Sequence, residues 1–288
     1  RRIYLLAKYN KKNKLIMIVL IPMGGKGSRF TQQGYKLNKT LIPVTSRNDG
    51  KKYPMALSAM HDMPWCEYKQ TKIICVNSLE HEKNGLEKMI LSQFPQTIFI
   101  HDHIKLDQAF GCFLAREFLD HDDELFIGAC DNGFDIDLKK FNKIKKTSDA
   151  IMLSHTNDIN IERNPSAHSW AKLKKDNESL IELSFKKPVS SFPMGDHATT
   201  GMFWFKNSRI FLAYLEEMIW ARDTIDGKYY VDKILNYFIR DQLKVKKFDV
   251  NYICWGTPED YEYYENTFKY WKQFSKKNKK IFNAISKK

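Results

Sequence analysis

The chain has 288 residues, 43% of them hydrophobic and 28% charged, enough to fill one large α/β core. A formal charge of +13 suggests nucleic acid, yet residues 1–16 hold six basic side chains and residues 266–288 eight, with no acid in either segment; the body between them has 33 basic and 34 acidic residues, which argues against a nucleic-acid groove across it. No apolar run approaches the roughly 18 residues of a membrane span, and no leader-like segment with a small-residue cleavage site is present, so a cytoplasmic protein is expected.

In chain order, residues 1–16 read as a basic extension outside the core, with Met17 as the native start or, alternatively, as a surface extension that belongs to the protein. Apolar runs bounded by turn residues follow at Met17 to Pro22, Thr71 to Val76, Thr97 to His101, Glu124 to Cys130 and Ala150 to Ser154. The segments between most of them have helical spacing, with Leu86, Met89, Ile90 and Phe94 on one predicted face and Ala109, Phe113, Leu114 and Phe118 on another. This alternation predicts an α/β fold, a Rossmann-like, mostly parallel mixed sheet with helices on both faces. After residue 168 the pattern changes. Trp170 to Lys174 and Leu180 to Phe185 read as a hairpin, Thr200 to Phe205 as a strand, Ser208 to Arg222 and Tyr230 to Arg240 as helices, and Lys244 to Cys254 as one late strand. Residues 17–260 form the predicted domain. Residues 261–288 form a basic, aromatic helical tail in which Tyr261, Tyr264, Phe268 and Trp271 mark a stripe that packs on the core or, alternatively, joins a homodimer. The five cysteines are scattered without a C-x-x-C pair and read as small buried residues.

The segment Met23-Gly24-Gly25-Lys26-Gly27-Ser28-Arg29 joins the first apolar run to a helix, with Lys39 ten residues further on. A glycine-rich strand-to-helix turn presents free backbone N–H groups at the positive end of a helix dipole, which suits phosphate. Arg29 and Lys39 would add the fixed positive charge that a triphosphate and a leaving pyrophosphate require. A Walker loop is excluded because Ser28-Arg29, not Lys-Ser or Lys-Thr, follows Gly27, and a dinucleotide fingerprint fails at Phe30. An ordinary strand-to-helix turn is the competing reading. Asp131 ends a buried run, where open α/β sheets bind ligands and where a carboxylate can hold Mg²⁺ with phosphate oxygens; a plain turn residue is the alternative.

Gly25-x-Gly27-Ser28-Arg29-Phe30, followed by Lys39 and Leu41-Ile42-Pro43-Val44, resembles the nucleotidyltransferases that make sugar nucleotides and related activated phosphates. The resemblance runs from about Met17 to Asp260. It implies attack of an acceptor phosphate on the α-phosphorus of a nucleoside triphosphate, with Mg²⁺ or Mn²⁺ as cofactor. The loop residues Met23, Gly24, Gly25, Gly27 and Ser28 would bind the nucleotide together with Gln108 and Gly111, although Asp107-Gln108 also reads as a plain helix cap. Phe185-Lys186-Lys187-Pro188 resembles a family segment in which Lys187 would touch the acceptor phosphate; Lys186 replaces the family's glutamate and favours a more anionic acceptor. Thr200 and Gly201 match the strand beside the acceptor. In Cys254-Trp255-Gly256-Thr257-Pro258, Cys254 stands where many relatives have a second metal-binding aspartate, so that ligand would be Asp232 or Asp249, or be absent. Within the family the chain is most similar to cytidylyltransferases that activate phosphoglutamine for capsule decoration. The implied partners are therefore CTP or another nucleoside triphosphate and a phosphorylated small molecule.

Overall fold

The computed structural model describes residues 17–104 and 107–278, so the expectations for residues 1–16 and for the last ten residues of the tail lie outside it. Its strands in chain order are β1 Met17–Pro22, β2 Pro43–Thr45, β3 Lys52–Pro54, β4 Thr71–Asn77, β5 Thr97–His101, β6 Glu124–Ile127, β7 Asn132–Asp135, β8 Ala150–His155, β9 Ser169–Leu173, β10 Leu180–Phe185, β11 His197–Phe205, β12 Val245–Asp249 and β13 Asn251–Cys254. β5, β4, β1 and β6 lie side by side and parallel. Strand β11 runs antiparallel to β6 on one edge and to β8 on the other, and β12 completes that side parallel to β8. The mostly parallel, mixed sheet predicted from the alternation is present.

Strand β1 shows why both faces are covered. Val19 and Ile21 enter one buried cluster with Phe30, Trp65 and Phe126, while Ile18 and Leu20 enter a second with Phe205, Phe211 and Phe238. Side chains alternate across a strand, so a run apolar at every position needs helices on both sides.

At β11 the sheet changes use. Its register shifts between Thr199 and Phe203, and Gly201 takes a φ of 77°, a conformation that costs a glycine little. Beyond this bulge His197 and Ala198 pair with β9, and the predicted hairpin of β9 with β10 forms the end of the same sheet. The bulge therefore divides the parallel core from a smaller β portion.

Several element boundaries differ from the sequence reading. The late strand is two strands in two sheets: β12 lies along β8, whereas β13 pairs antiparallel with β7. The apolar pattern runs on through buried Val250, whose N–H donates to Ser154 O at 2.9 Å, so composition carried no break. Strand β6 ends at Ile127, three residues before the apolar run does, although Gly128 N–H still donates to Leu20 O at 2.9 Å. The helical segment after Asp107 breaks at Ala115 into Gln108–Leu114 and Arg116–Leu119. The second late helix starts at Lys233 rather than Tyr230. Met89, assigned to a buried face, is 37% exposed.

Candidate active site

A cleft of about 750 Å³ lies at the carboxyl side of the sheet, lined there by Arg29 after β1, Gln108 after β5 and Ala129, Asp131 and Asn132 after β6; Met23, Gly24, Gly25, Gly27, Ser28 and Lys39 are not on its wall. This is where the peptide dipoles and loop N–H groups of a parallel sheet converge. The cleft extends past the β11 bulge to β9 and β10, so its two halves belong to the two parts of the sheet.

The glycine turn lies at the end of β1. Met23 N–H is fixed on Val76 O at 2.7 Å, and among the described residues the N–H groups of Gly25, Lys26, Gly27 and Ser28 have no partner. Gly27 has a φ of 61° and begins the short helix Ser28–Gln32; a side chain there would meet Lys39 Cβ at 3.0 Å. The turn and Lys39 are therefore packed together. Lys39 starts a single 3₁₀ turn capped by Asn38, whose Oδ1 accepts from Thr40 N–H at 3.1 Å.

Lys39 Nζ reaches Asp131 Oδ2 at 2.7 Å, with the two side chains 21% and 26% exposed. Burial disfavours the ammonium charge, but the charge and hydrogen bond of Asp131 more than offset it, so the Lys39 pKa lies above the usual lysine range. Asp131 also abuts the segment after β13. Its backbone O accepts from Trp255 N–H at 3.0 Å, and a side chain on Gly256 would come within 3.0 Å of Asp131 Oδ2. Thr257 then caps the helix Pro258–Lys277, accepting from Asp260 N–H and donating its hydroxyl to Asp260 Oδ2 at 2.7 Å.

The two candidates for a second metal ligand do not join Asp131. Asp249 is engaged by Ser154, His197 and Lys247; burial alone would raise its pKa, but these bonds hold it well below the usual carboxylate range, and it is not on the cleft wall. Asp232 does reach the cleft wall, yet its neighbour is Ser169 on β9, whose hydroxyl donates to Oδ2. Burial pushes the Asp232 carboxyl up to about 6, and its Oδ1 has no partner. Cys254 is beside Gly256, with its thiol pushed up to about 12 by burial and then by the charge of Asp260, so it is neutral and a poor ligand for a hard cation. Among the described residues no three His, Cys, Asp or Glu side chains gather into a metal-sized group. The single carboxylate of Asp131, with Oδ2 on Lys39, suits at most one hard dication shared with phosphate oxygens, and the donor set does not suit a second.

The acceptor-side expectations change in detail. Lys186, not Lys187, lines the cleft; Lys187 is exposed, and its backbone O accepts from Ser184 Oγ at 2.7 Å. The end of the hairpin turns at Lys186, which has a φ of 59° and pairs with Asp226 from the facing loop. Gln108 lines the cleft and donates to Gly201 O at 3.1 Å, tying the helix after β5 to the bulge. Thr200 is buried, with its hydroxyl donated to Leu153 O at 3.0 Å. Gly111 is not at the cleft. A side chain there would meet Pro22 Cβ at 3.2 Å, so its role is the close approach of helix to strand. Arg29 is exposed on the cleft wall.

Four residues that the sequence reading did not single out belong to the same region. Buried Asp102, one position beyond β5, lies against the glycine turn, 2.8 Å from where a Gly24 side chain would begin. Its position at a strand end, like that of Asp131, was the signal available. Asn132, next to Asp131, donates to Thr200 O at 3.3 Å and so links the two halves of the cleft. Arg163, 3.4 Å from Asp260, and Lys228 add cations to the wall and follow no motif.

No family model matches the sequence, and no curated protein matches it. Solved structures do resemble the fold. The nucleoside-diphosphate-sugar pyrophosphorylase from Vibrio cholerae RC9 aligns with a TM-score of 0.69 at 18% identity, covering 85% of this chain and 98% of that one. HddC from Yersinia pseudotuberculosis, complexed with GMP-PN, aligns at 0.59 and 17% identity over 87% of this chain and 99% of that one. The inositol-1-phosphate CTP transferase from T. maritima aligns at 0.59 and 14% identity over 86% and 95%. The chain shares the fold of these enzymes along nearly their whole length.

Proposed function

We propose that the chain is a nucleotidyltransferase joining a nucleoside triphosphate to a phosphorylated small molecule with release of pyrophosphate. The observation that carries this reading is the Lys39–Asp131 pair, two residues 92 positions apart held at 2.7 Å beside a glycine turn whose N–H groups are unpaired among the described residues. Those N–H groups and Arg29 suit the β- and γ-phosphates. Lys39 is placed to neutralise charge that builds on the phosphates as the bond from the α-phosphorus to its bridging oxygen breaks. An acceptor phosphate oxygen makes the new bond to the α-phosphorus. It is already anionic, so orientation by the cleft wall, including Lys186, replaces any need for a covalent nucleophile. Magnesium or manganese held by Asp131 and the triphosphate would supply further charge neutralisation when bound.

The narrower reading is CTP with glutamine phosphate, in surface-polysaccharide modification. Lys186 on the cleft wall supports it, because an acceptor with a second anionic group can take the place of its partner Asp226 better than a neutral sugar can. A sugar phosphate or phosphocholine is the alternative acceptor. Pyrophosphate release from CTP, UTP, GTP, ATP and dTTP against glutamine phosphate, glucose 1-phosphate and phosphocholine tests both levels, with Asp131→Ala as control. Turnover with any pair that disappears in the control supports the class, and the preferred pair names the substrates. Nucleotide binding without turnover of any pair would favour a non-catalytic nucleotide-binding regulator.

A further inference from the structure

The helix Pro258–Lys277 has two unlike sides. Tyr261 and Tyr264 donate their hydroxyls to Pro43 O and Thr45 O, and Glu265 accepts from Thr45, so one side is fastened to β2. The other side is exposed, although its first turn meets the body of the protein: Glu259 accepts from Gln33 Nε2 at 2.5 Å, and the Arg163 guanidinium lies over the Tyr263 ring. Glu259, Tyr263, Asn266, Tyr270, Gln273 and Lys277 are all exposed, with Tyr263 at 58% and Tyr270 at 59%. These six recur at alternating intervals of four and three, so they share one face of the helix, and they are polar or phenolic rather than apolar. Trp271, read with Tyr261, Tyr264 and Phe268 as one packed stripe, is 53% exposed instead.

We propose that this side pairs antiparallel with the same helix of a second copy, about a two-fold axis at residue 268. The argument is self-complementarity. Reversing the helix about residue 268 places Glu259 opposite Lys277, Tyr263 opposite Gln273 and Asn266 opposite Tyr270, each pair occurring twice. Every layer then joins an acid to a base or a phenol to an amide. On one flank Glu262, which also accepts from Tyr35 Oη at 2.9 Å, faces Lys276 and Lys269 meets its own copy; on the other Asp260 faces Phe274 and Thr267 meets its own copy. A parallel pairing would instead set Glu259 against Glu259 and Lys277 against Lys277. Because Glu259 also lies on the cleft wall, the antiparallel pair brings a cation of the second copy to the rim of each site.

Sedimentation of the full chain over about 1 to 100 μM tests the proposal. A dimer is expected, with a dissociation constant raised at least about tenfold by Tyr270→Glu, which leaves every buried contact in place, and likewise by Lys277→Glu. Adding Glu259→Lys to Lys277→Glu restores the opposite charges and should recover the dimer. A monomeric wild type overturns the proposal, as does a dimer indifferent to both single variants. A dimer that forms only after residues 279–288 are removed also overturns it, and assigns the seam to the chain's own end.

Discussion

Lys39 and Asp131 form the pair on which the candidate chemistry turns. Removing either leaves the other charge half-buried without its partner, so Lys39→Met and Asp131→Asn should each lower pyrophosphate release by about 100-fold or more. Circular dichroism would have to show the fold intact; a turnover within a few-fold of wild type would remove the pair from the mechanism. Asp232 offers a separate test. Its carboxyl titrates at about 6 in the fold, against about 4 when unfolded, so the folded state binds the extra proton between these values. Stability should be full below about pH 4 and fall by on the order of 2–3 kcal/mol as pH rises through 6. Asp232→Asn keeps a partner for Ser169 and cannot ionise, so its melting temperature should exceed that of wild type at pH 7.5 and match it near pH 4. Equal melting curves at both pH values would refute this. A buried carboxylate kept at such a cost fits a residue retained for the cleft rather than for folding.

At the scale of elements, glycines set how closely the segments around the cleft approach one another. Gly111→Ala would place a methyl group 3.2 Å from Pro22 Cβ, with backbone rather than a flexible side chain having to yield. A loss of about 1–3 kcal/mol is expected from chemical denaturation, with little change in a nucleotide contact it does not make. Gly201→Ala meets open space but needs a φ of 77°. It should cost about 1 kcal/mol and disturb the acceptor half of the cleft through Gln108, seen as a raised KM for the acceptor. Motif spacing showed that glycines matter at these places. It could not show that Gly111 serves packing while Gly201 serves the bulge, because the difference lies in which segment passes opposite.

For the whole molecule, the tail helix is part of the fold through Tyr261, Tyr264 and Glu265, whatever its outer side does. Ending the chain before Pro258 should therefore lower the melting temperature by 10 °C or more, on the order of several kcal/mol. An unchanged melting temperature would show that the helix is an appendage. No helix among the described residues is long and apolar enough to cross a membrane. The sequence by itself determined the parallel core and the glycine turn that ends β1. Runs of alternating apolar strands and helices can be buried in few ways, and a turn such as Gly25-Lys26-Gly27-Ser28-Arg29 carries its conformation in adjacent residues. Only the tertiary structure decided what lies across the cleft: that Lys39 meets Asp131, that Lys186 rather than Lys187 faces inward, that Asp232 belongs with Ser169, and that the last strand is split between two sheets. These depend on contacts between residues tens to hundreds of positions apart, and local spacing holds no information about which distant segment fills the space beside a side chain.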